Sequence, residues 1–176
     1  MGDIPEDSAY VIPRGDFMHV RRGDAHDWPF IYSLAREAIP YSLSPWRKQP
    51  LEETMKYREQ LLKGFWGWIK QTGSQAFIAE TENGVKIGYL ILYPSSREEL
   101  TGMLQAWVMD VAVAPKWRGR GAGKALFEAA EGYCRENDIV YLGLAVSSHN
   151  IKALSLYEHL GFAEERKLMV KLIKPE

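Results

Sequence analysis

The sequence has little of what marks secreted, membrane or nucleic-acid-binding proteins. Its single cysteine, Cys134, can form no internal disulfide, which excludes a secreted disulfide scaffold. Its longest apolar runs, such as residues 89–93, are far shorter than the ~20 residues that a transmembrane helix needs. The 22 basic residues are balanced by 23 acidic ones, which argues against a nucleic-acid coat. The N-terminus also shows no signal-peptide pattern, so we expect a cytoplasmic protein without membrane or nucleic-acid partners.

The length and composition are those of one globular domain. The chain has 176 residues, of which 46% are hydrophobic, a fraction too high for a disordered protein. Residues 1–16 hold Gly, Pro, Asp and Ser without periodicity, and we expect a loose lead-in there. Residues 17–176 are predicted to form a single domain.

Hydrophobic periodicity predicts an α/β fold with helices around a mixed sheet. Strands are predicted over 17–22, 75–81, 85–93, 103–114, 139–146 and 167–173. Helices are predicted from Asp24 or Asp27 to about residue 38, and over about 51–71, 120–137 and 150–160. Asn83-Gly84 favours a tight hairpin, and 94–102 is expected to be a loop. The nearly continuous apolar run over 139–146 is typical of a strand buried on both faces.

A glycine-rich turn joins the strand ending at Ala114 to the helix that follows. Residues 115–124 read Pro-Lys-Trp-Arg-Gly-Arg-Gly-Ala-Gly-Lys. Glycine lets an anion approach the free N–H groups at a helix start, and four basic side chains add positive charge. The pattern therefore predicts an anion site, the alternative being a strand-to-helix turn whose basic residues are only solvated.

Two familiar phosphate loops do not match this turn. A Walker A loop needs Ser or Thr after Gly-Lys, but Ala125 follows Lys124, and its first glycine position holds Arg118. A dinucleotide fingerprint needs a third glycine where Lys124 stands. Instead, Arg118-x-x-Gly121-x-Gly123 resembles the acetyl-coenzyme A pyrophosphate loop of the GCN5-related N-acetyltransferase (GNAT) superfamily.

A second motif extends this resemblance. The chain from Asn150 reads Asn-x-x-Ala-x-x-x-Tyr-x-x-x-Gly-Phe, ending at Phe162. It is similar at every position to the GNAT motif that follows the strand after the pyrophosphate helix. Asn150 can also cap the predicted short helix, and Ala153 and Tyr157, four residues apart, share one face of it.

The resemblance implies a mixed, mainly antiparallel sheet flanked by helices and split between the fourth and fifth predicted strands. It implies acetyl-CoA as the acetyl donor in that split, and no metal. The implied acetyl-CoA-binding residues fall in three segments: Val111, Ala112 and Val113 on the fourth strand; Arg118, Gly119, Arg120, Gly121, Ala122, Gly123 and Lys124 in the turn; and Asn150, Ala153 and Tyr157 in the second motif.

The resemblance also implies catalytic roles. Tyr157 would donate a proton to the leaving thiolate as general acid, the plainer alternative being a half-buried helix aromatic. Asp110 is the best placed general base, although it could equally tether strand ends, and His149 is the second choice. Cys134 lies on the apolar face of its predicted helix and is expected to be a core thiol.

The acceptor is less defined by the sequence. We expect an N-acetyltransferase that moves acetyl directly to a primary amine of a small molecule. The alternatives are a protein N-terminal or lysine acetyltransferase, or a non-catalytic acetyl-CoA-binding regulatory module. The aromatic residues of the first two helices could wall a site for a cationic amine or simply pack the helices on the sheet. A homodimer stays an open alternative.

Overall fold

The computed structural model describes the backbone of Tyr10–Val11 and residues 18–173. Its strands are β1 (Tyr10–Val11), β2 (Met18–Arg22), β3 (Gln75–Thr81), β4 (Lys86–Arg97), β5 (Leu104–Val113) and β6 (Leu142–Leu144). Its α-helices are α1 (Trp28–Ser42), α2 (Leu51–Thr72), α3 (Ala122–Glu136) and α4 (Ile151–His159), with 3₁₀ turns at Ala25–Asp27 and Pro115–Trp117. Residues 1–9 and 12–17, most of the expected lead-in, lie outside the described residues.

The described strands form one sheet in the order β1-β2-β3-β4-β5-β6. Each neighbouring pair from β1 to β5 is antiparallel, and β6 pairs with β5 in parallel. The predicted mixed, mainly antiparallel sheet is therefore confirmed. No helix in the described part of the chain is long and apolar enough to cross a bilayer.

Two hydrophobic clusters cover the two faces of the sheet. One face packs against α3 through residues such as Leu126 and Phe127, and α4 adds Tyr157 to that side. The other face packs against α1 and α2 through Ile31 and Leu62. Helices therefore flank the sheet on both sides, as the periodicity predicts.

The sheet is split between β5 and β6, which are the fourth and fifth predicted strands. The two strands pair only where Ala106–Val108 of β5 meet Leu142–Leu144. On the other edge of β5, Val108 is opposite Leu92 and Asp110 is opposite Ile91, so Met109 is an extra residue. Such a bulge bends a strand and increases its twist. Beyond it, β5 continues to Val113 without a described partner on the β6 side, and the predicted split is confirmed.

A buried ion-pair network holds the start of α1 against the sheet. Asp27 is 1% exposed and accepts hydrogen bonds from Arg21 at 2.8 and 2.9 Å and from the backbone N–H of Asp24 at 2.9 Å. Lys86 of β4 makes a further ion pair with Asp27. Opposite charges and hydrogen bonds hold the pKa of Asp27 well below its usual value, despite the opposing effect of burial.

Two elements continue through prolines beyond their predicted ends. The helix α1 continues through Pro40 to Ser42, whose carbonyl accepts a hydrogen bond from Ser147 Oγ at 2.6 Å, and the buried Ile39 anchors this last turn. Likewise β4 continues past Pro94 to Arg97, so the predicted 94–102 loop begins later. A register shift between Tyr93 and Ser96 accommodates the proline, which has no N–H to donate.

Two predicted strands differ in the structure. The 139–146 strand shortens to Leu142–Leu144 and is half-buried rather than buried on both faces, because it pairs on one edge only. The predicted 167–173 strand is wrong: these residues make no described ladder, and Leu168 and Met169 are exposed. Alternation defines two faces of a segment, but a strand also needs a partner edge.

Candidate active site

The glycine turn after β5 forms an open cradle at the start of α3. Gly119 and Gly121 have φ of 75° and 91°, a left-handed conformation that glycine adopts without strain. No heavy atom would come within 4 Å of a Cβ at either position. Gly121 is the N-cap of α3 and no side chain caps the helix, so its first N–H groups are free to bind an anion. The geometry fits a pyrophosphate.

Basic side chains surround this cradle. Arg118 donates from Nε to the carbonyl of Val113 at 3.0 Å, and its guanidinium lies 4.8 Å from the ring centre of Tyr41. Lys124 is exposed and pairs with Glu128 one helical turn later. Arg118 thus connects the turn to the end of α1, while Lys124 adds positive charge close to the N-terminus of α3.

The open edge of β5 presents backbone groups to the split. The N–H of Ala114 donates to Ile87 of β4 at 2.8 Å, and backbone groups alternate between the two edges of a strand. Val111 and Val113 therefore direct their N–H and C=O groups away from β4 and towards the split. The Val113 carbonyl already accepts from Arg118, and the remaining groups face the side where a pantetheine arm could pair with them. Ala112 directs its backbone to β4 and buries its side chain, so the structure does not bring it to the split.

The second motif forms α4, on the same side of the sheet as α3. Asn150 caps this helix, its side-chain oxygen accepting from the N–H of Ala153 at 3.3 Å. The Tyr157 ring is half-buried, with its centre 5.5 Å from that of Phe127 and 5.9 Å from that of Phe162. Burial raises the pKa of the Tyr157 phenol, and the nearby charge of Asp110 raises it further. The phenol therefore stays protonated at neutral pH.

Asp110 lies on the face of the sheet opposite to Tyr157. Its Oδ2 accepts a hydrogen bond of 2.8 Å from the hydroxyl of Tyr89, a side chain that is fully buried. Burial raises the pKa of Asp110, while the Tyr89 hydrogen bond and the positive charge of Arg58 partly oppose this effect. A carboxylate with a raised pKa is a better proton acceptor than an ordinary aspartate.

A cavity of about 170 Å³ lies beside Asp110, between β5 and the first two helices. It is lined by Ala35, Ala38, Ile39, Ser42, Leu43, Arg58 and Asp110. Tyr157 packs on the α3 side of the sheet. An acetyl donor bound on that side and an amine bound in this cavity would meet at the split. The predicted acid and base thus lie on opposite faces of the sheet, close enough for the charge of Asp110 to raise the pKa of the Tyr157 phenol.

Most aromatic residues of the first helices pack against each other rather than line the cavity. Trp28 lies 5.7 Å from Trp66 and 6.3 Å from Phe65 between ring centres, and Phe65 stacks on Trp68 at 5.4 Å. Trp68 in turn contacts Tyr93 of β4. Of the two interpretations of these residues, the structure favours packing.

The other candidate residues, His149 and Cys134, do not line the cavity. His149 is exposed just before α4. Cys134 is 5% exposed, and burial raises the pKa of its thiol, as expected of a core residue. Within residues 18–173, no group of three His, Cys, Asp or Glu side chains is placed to hold a metal ion.

Three residues of the site have no motif in the sequence. Tyr89 reaches Asp110 through the β4–β5 register, Arg58 through the packing of α2, and Tyr41 reaches Arg118 through the end of α1. Of these three contacts, only that of Tyr89 with Asp110 could have been predicted from the sequence, because an antiparallel β4–β5 pair places these two residues side by side.

Comparison with known proteins gives the family. The model of the acetyltransferase (GNAT) family matches residues 28–162, and the chain belongs to this family. An uncharacterized N-acetyltransferase of Bacillus subtilis, YhfO, is 40% identical over 93 residues, 52% of this chain and 60% of the relative. Streptothricin acetyltransferase of Streptomyces lavendulae is 32% identical over 91 residues, 51% of this chain and 45% of the relative. The chain thus spans about half the length of these curated relatives.

Solved structures agree on the fold. A putative acetyl transferase from Pyrococcus furiosus superposes with a TM-score of 0.73 at 25% identity, over 89% of this chain and 99% of the other. The aminoglycoside N-acetyltransferase AAC(6')-Iy in complex with CoA superposes with a TM-score of 0.69 at 19% identity, over 94% of this chain and 100% of the other. The predicted superfamily resemblance is confirmed.

Proposed function

We propose that this chain is an acetyl-CoA-dependent N-acetyltransferase that moves an acetyl group directly to a primary amine of a small molecule. The observation that carries the proposal is the split beside β5, with a half-buried carboxylate of raised pKa on one face of the sheet and a protonated phenol on the other. A module that only binds acetyl-CoA needs neither proton-transfer group.

The residues of the split have separate roles in this proposal. Acetyl-CoA supplies an activated acetyl thioester. The turn around Gly121 binds its pyrophosphate through the N–H groups of α3, and Val111 and Val113 orient the pantetheine arm. Asp110 accepts a proton from the incoming ammonium group, and Tyr157 donates a proton to the departing sulfur.

The cavity supports a small acceptor rather than a protein. Its volume of about 170 Å³ is comparable with that of a cavity that holds a benzene-sized molecule. The bond from Ser147 to the Ser42 carbonyl ties the segment after β6 to the end of α1, beside the cavity. A protein substrate would need an open groove there.

The test measures release of CoA thiol with a panel of small amines and of peptides carrying a free N-terminus or a lysine. We expect thiol release that depends on the added amine, together with the mass of the acetylated product, for small amines in preference to peptides. Thiol release with peptides alone would support the protein acetyltransferase instead. Tight acetyl-CoA binding without amine-dependent release from any acceptor would contradict the enzymatic proposal.

A further inference from the structure

The cavity beside Asp110 contains two opposite charges that do not neutralise each other. Arg58 lines the same cavity and lowers the pKa of Asp110 by its charge, so the two groups are within electrostatic reach. Among the described residues, however, no ion pair within 4.0 Å and no hydrogen bond joins Arg58 to Asp110 or to any other side chain. Space for a ligand therefore remains between a negative and a positive group.

A zwitterion is the ligand that these two charges would bind together. An ammonium group at Asp110 places the acceptor nitrogen at the split, and a carboxylate beside it can take a charge-assisted, bidentate hydrogen bond from the Arg58 guanidinium. A polycationic amine would instead place positive charge against Arg58. The charge pattern thus selects against polyamines and aminoglycosides.

The remaining wall of the cavity is apolar. Ala35, Ala38, Ile39 and Leu43 line it, and its volume of about 170 Å³ accommodates a short aliphatic side chain. Resting on the proposed acetyl transfer, we infer that the acceptor is a free α-amino acid with a short aliphatic side chain. Its amine lies at Asp110, its carboxylate at Arg58 and its side chain against α1.

The reaction balances on these groups. Asp110 takes one proton from the ammonium group of the amino acid, and the freed nitrogen forms a bond to the acetyl carbon. The carbon–sulfur bond breaks, and Tyr157 gives its proton to the sulfur. The reacting nitrogen still carries two hydrogens after it attacks, and it loses a second proton, which restores the Tyr157 phenol. The products are the N-acetylamino acid and CoA, and one proton is released overall as Asp110 and Tyr157 return to their starting states.

Three acceptors that share the amine and the isobutyl side chain provide the test. L-leucine carries a carboxylate, L-leucinamide a neutral amide, and 3-methylbutylamine only a hydrogen at that position. The amine of the amide is less basic than that of leucine, so chemistry alone would favour the amide at neutral pH. We expect kcat/KM for leucine to exceed that for either neutral analogue by at least ~10-fold, as a charge-assisted contact provides. Equal or better use of leucinamide would overturn the inference.

Arg58→Gln and Lys56→Gln form a matched pair of variants on α2. Both remove one exposed positive charge, but only Arg58 lines the cavity. Loss of Arg58 also removes its effect on the pKa of Asp110, which acts on both acceptors alike, so the ratio of the two kcat/KM values is the readout. Arg58→Gln should lower kcat/KM for leucine relative to that for leucinamide by roughly 10- to 100-fold, whereas Lys56→Gln should leave this ratio unchanged. An equal effect of Arg58→Gln on both acceptors, or no effect, would contradict the role of Arg58.

Failure of this inference is distinguishable from failure of the proposed function. If other amines are acetylated but leucine is not, the inference is wrong and the acetyltransferase proposal stands. If no acceptor supports thiol release, calorimetry of leucine binding to the CoA-loaded protein decides. Binding that Arg58→Gln weakens and Lys56→Gln leaves unchanged supports the site, and the absence of binding overturns it.

Discussion

The carboxylate of Asp110 raises the pKa of the Tyr157 phenol, although the two side chains lie on opposite faces of the sheet. Asp110 faces the cavity beside α1, while Tyr157 packs on Phe127 of α3. The electrostatic effect places the two groups near each other although they face opposite sides. Direct acetyl transfer to an amine needs a group that takes a proton beside the amine and a group that gives a proton beside the thioester.

The glycine cradle can be tested with a pair of variants at Gly121. Asn and Asp are similar in size and tolerate left-handed backbone better than other L-residues, but only Asp adds a negative charge. Gly121→Asp should weaken acetyl-CoA binding by at least ~10-fold relative to Gly121→Asn, because like charges would meet at the pyrophosphate. Calorimetry and the rise in Tm with acetyl-CoA measure this difference. Wild-type affinity in both variants would place the pyrophosphate elsewhere.

Tyr157→Phe tests the general acid. The variant keeps the ring packing on Phe127 and Phe162 and removes only the hydroxyl. Turnover should fall by about 10²-fold, with little change in Tm or in acetyl-CoA affinity. Tyr133→Phe, on α3 and outside the split, is the control and should keep wild-type turnover. Unchanged turnover of Tyr157→Phe with chemistry rate-limiting would remove Tyr157 from the mechanism.

Tyr89→Phe tests the environment of Asp110. The lost hydrogen bond stabilises the carboxylate, so its removal should raise the pKa of Asp110 further. The rising, acidic limb of the kcat–pH profile should shift to higher pH by up to about one unit, and the plateau should recover close to the wild-type rate. The same fractional loss at every pH would mean that Tyr89 supports the structure alone.

Asp27→Asn tests the buried network at the start of α1. The lowered pKa of Asp27 means that its charge stabilises the fold above the unfolded value of about 4, and that this stability is lost as the pH falls below it. Urea unfolding at pH 7 should show a loss of about 3 kcal/mol, the low end for a broken buried pair, shrinking towards pH 3. Glu59→Gln, which breaks the more exposed pair with Arg36, should cost much less stability than Asp27→Asn. A loss for Asp27→Asn that stays constant with pH would exclude an electrostatic origin.

Local features of the site could be predicted from the sequence, and features set by tertiary packing could not. The turn around Gly121 and the cap at Asn150 depend on residues a few positions apart, so their spacing predicts them. Tyr89 meets Asp110 across 21 residues of chain, and Arg58 reaches it from another helix. The turn at Asn83-Gly84 differs from the predicted tight hairpin in the same way. Of its residues only Gly84 is left-handed, and Thr81 bonds to Val85 across a three-residue turn.

The pH dependence of acetyl transfer by Asp110→Asn, compared with wild type on the same amine, tests the central claim most directly. Because burial raises the pKa of Asp110, the charged carboxylate opposes folding as the pH rises through that pKa, so the variant should be at least as stable as wild type at neutral pH. Its kcat/KM should fall most at low pH, where the acceptor is protonated, and recover partly as the pH approaches the pKa of the amine. A stable variant with the wild-type rate at every pH would contradict the role of Asp110 as the base.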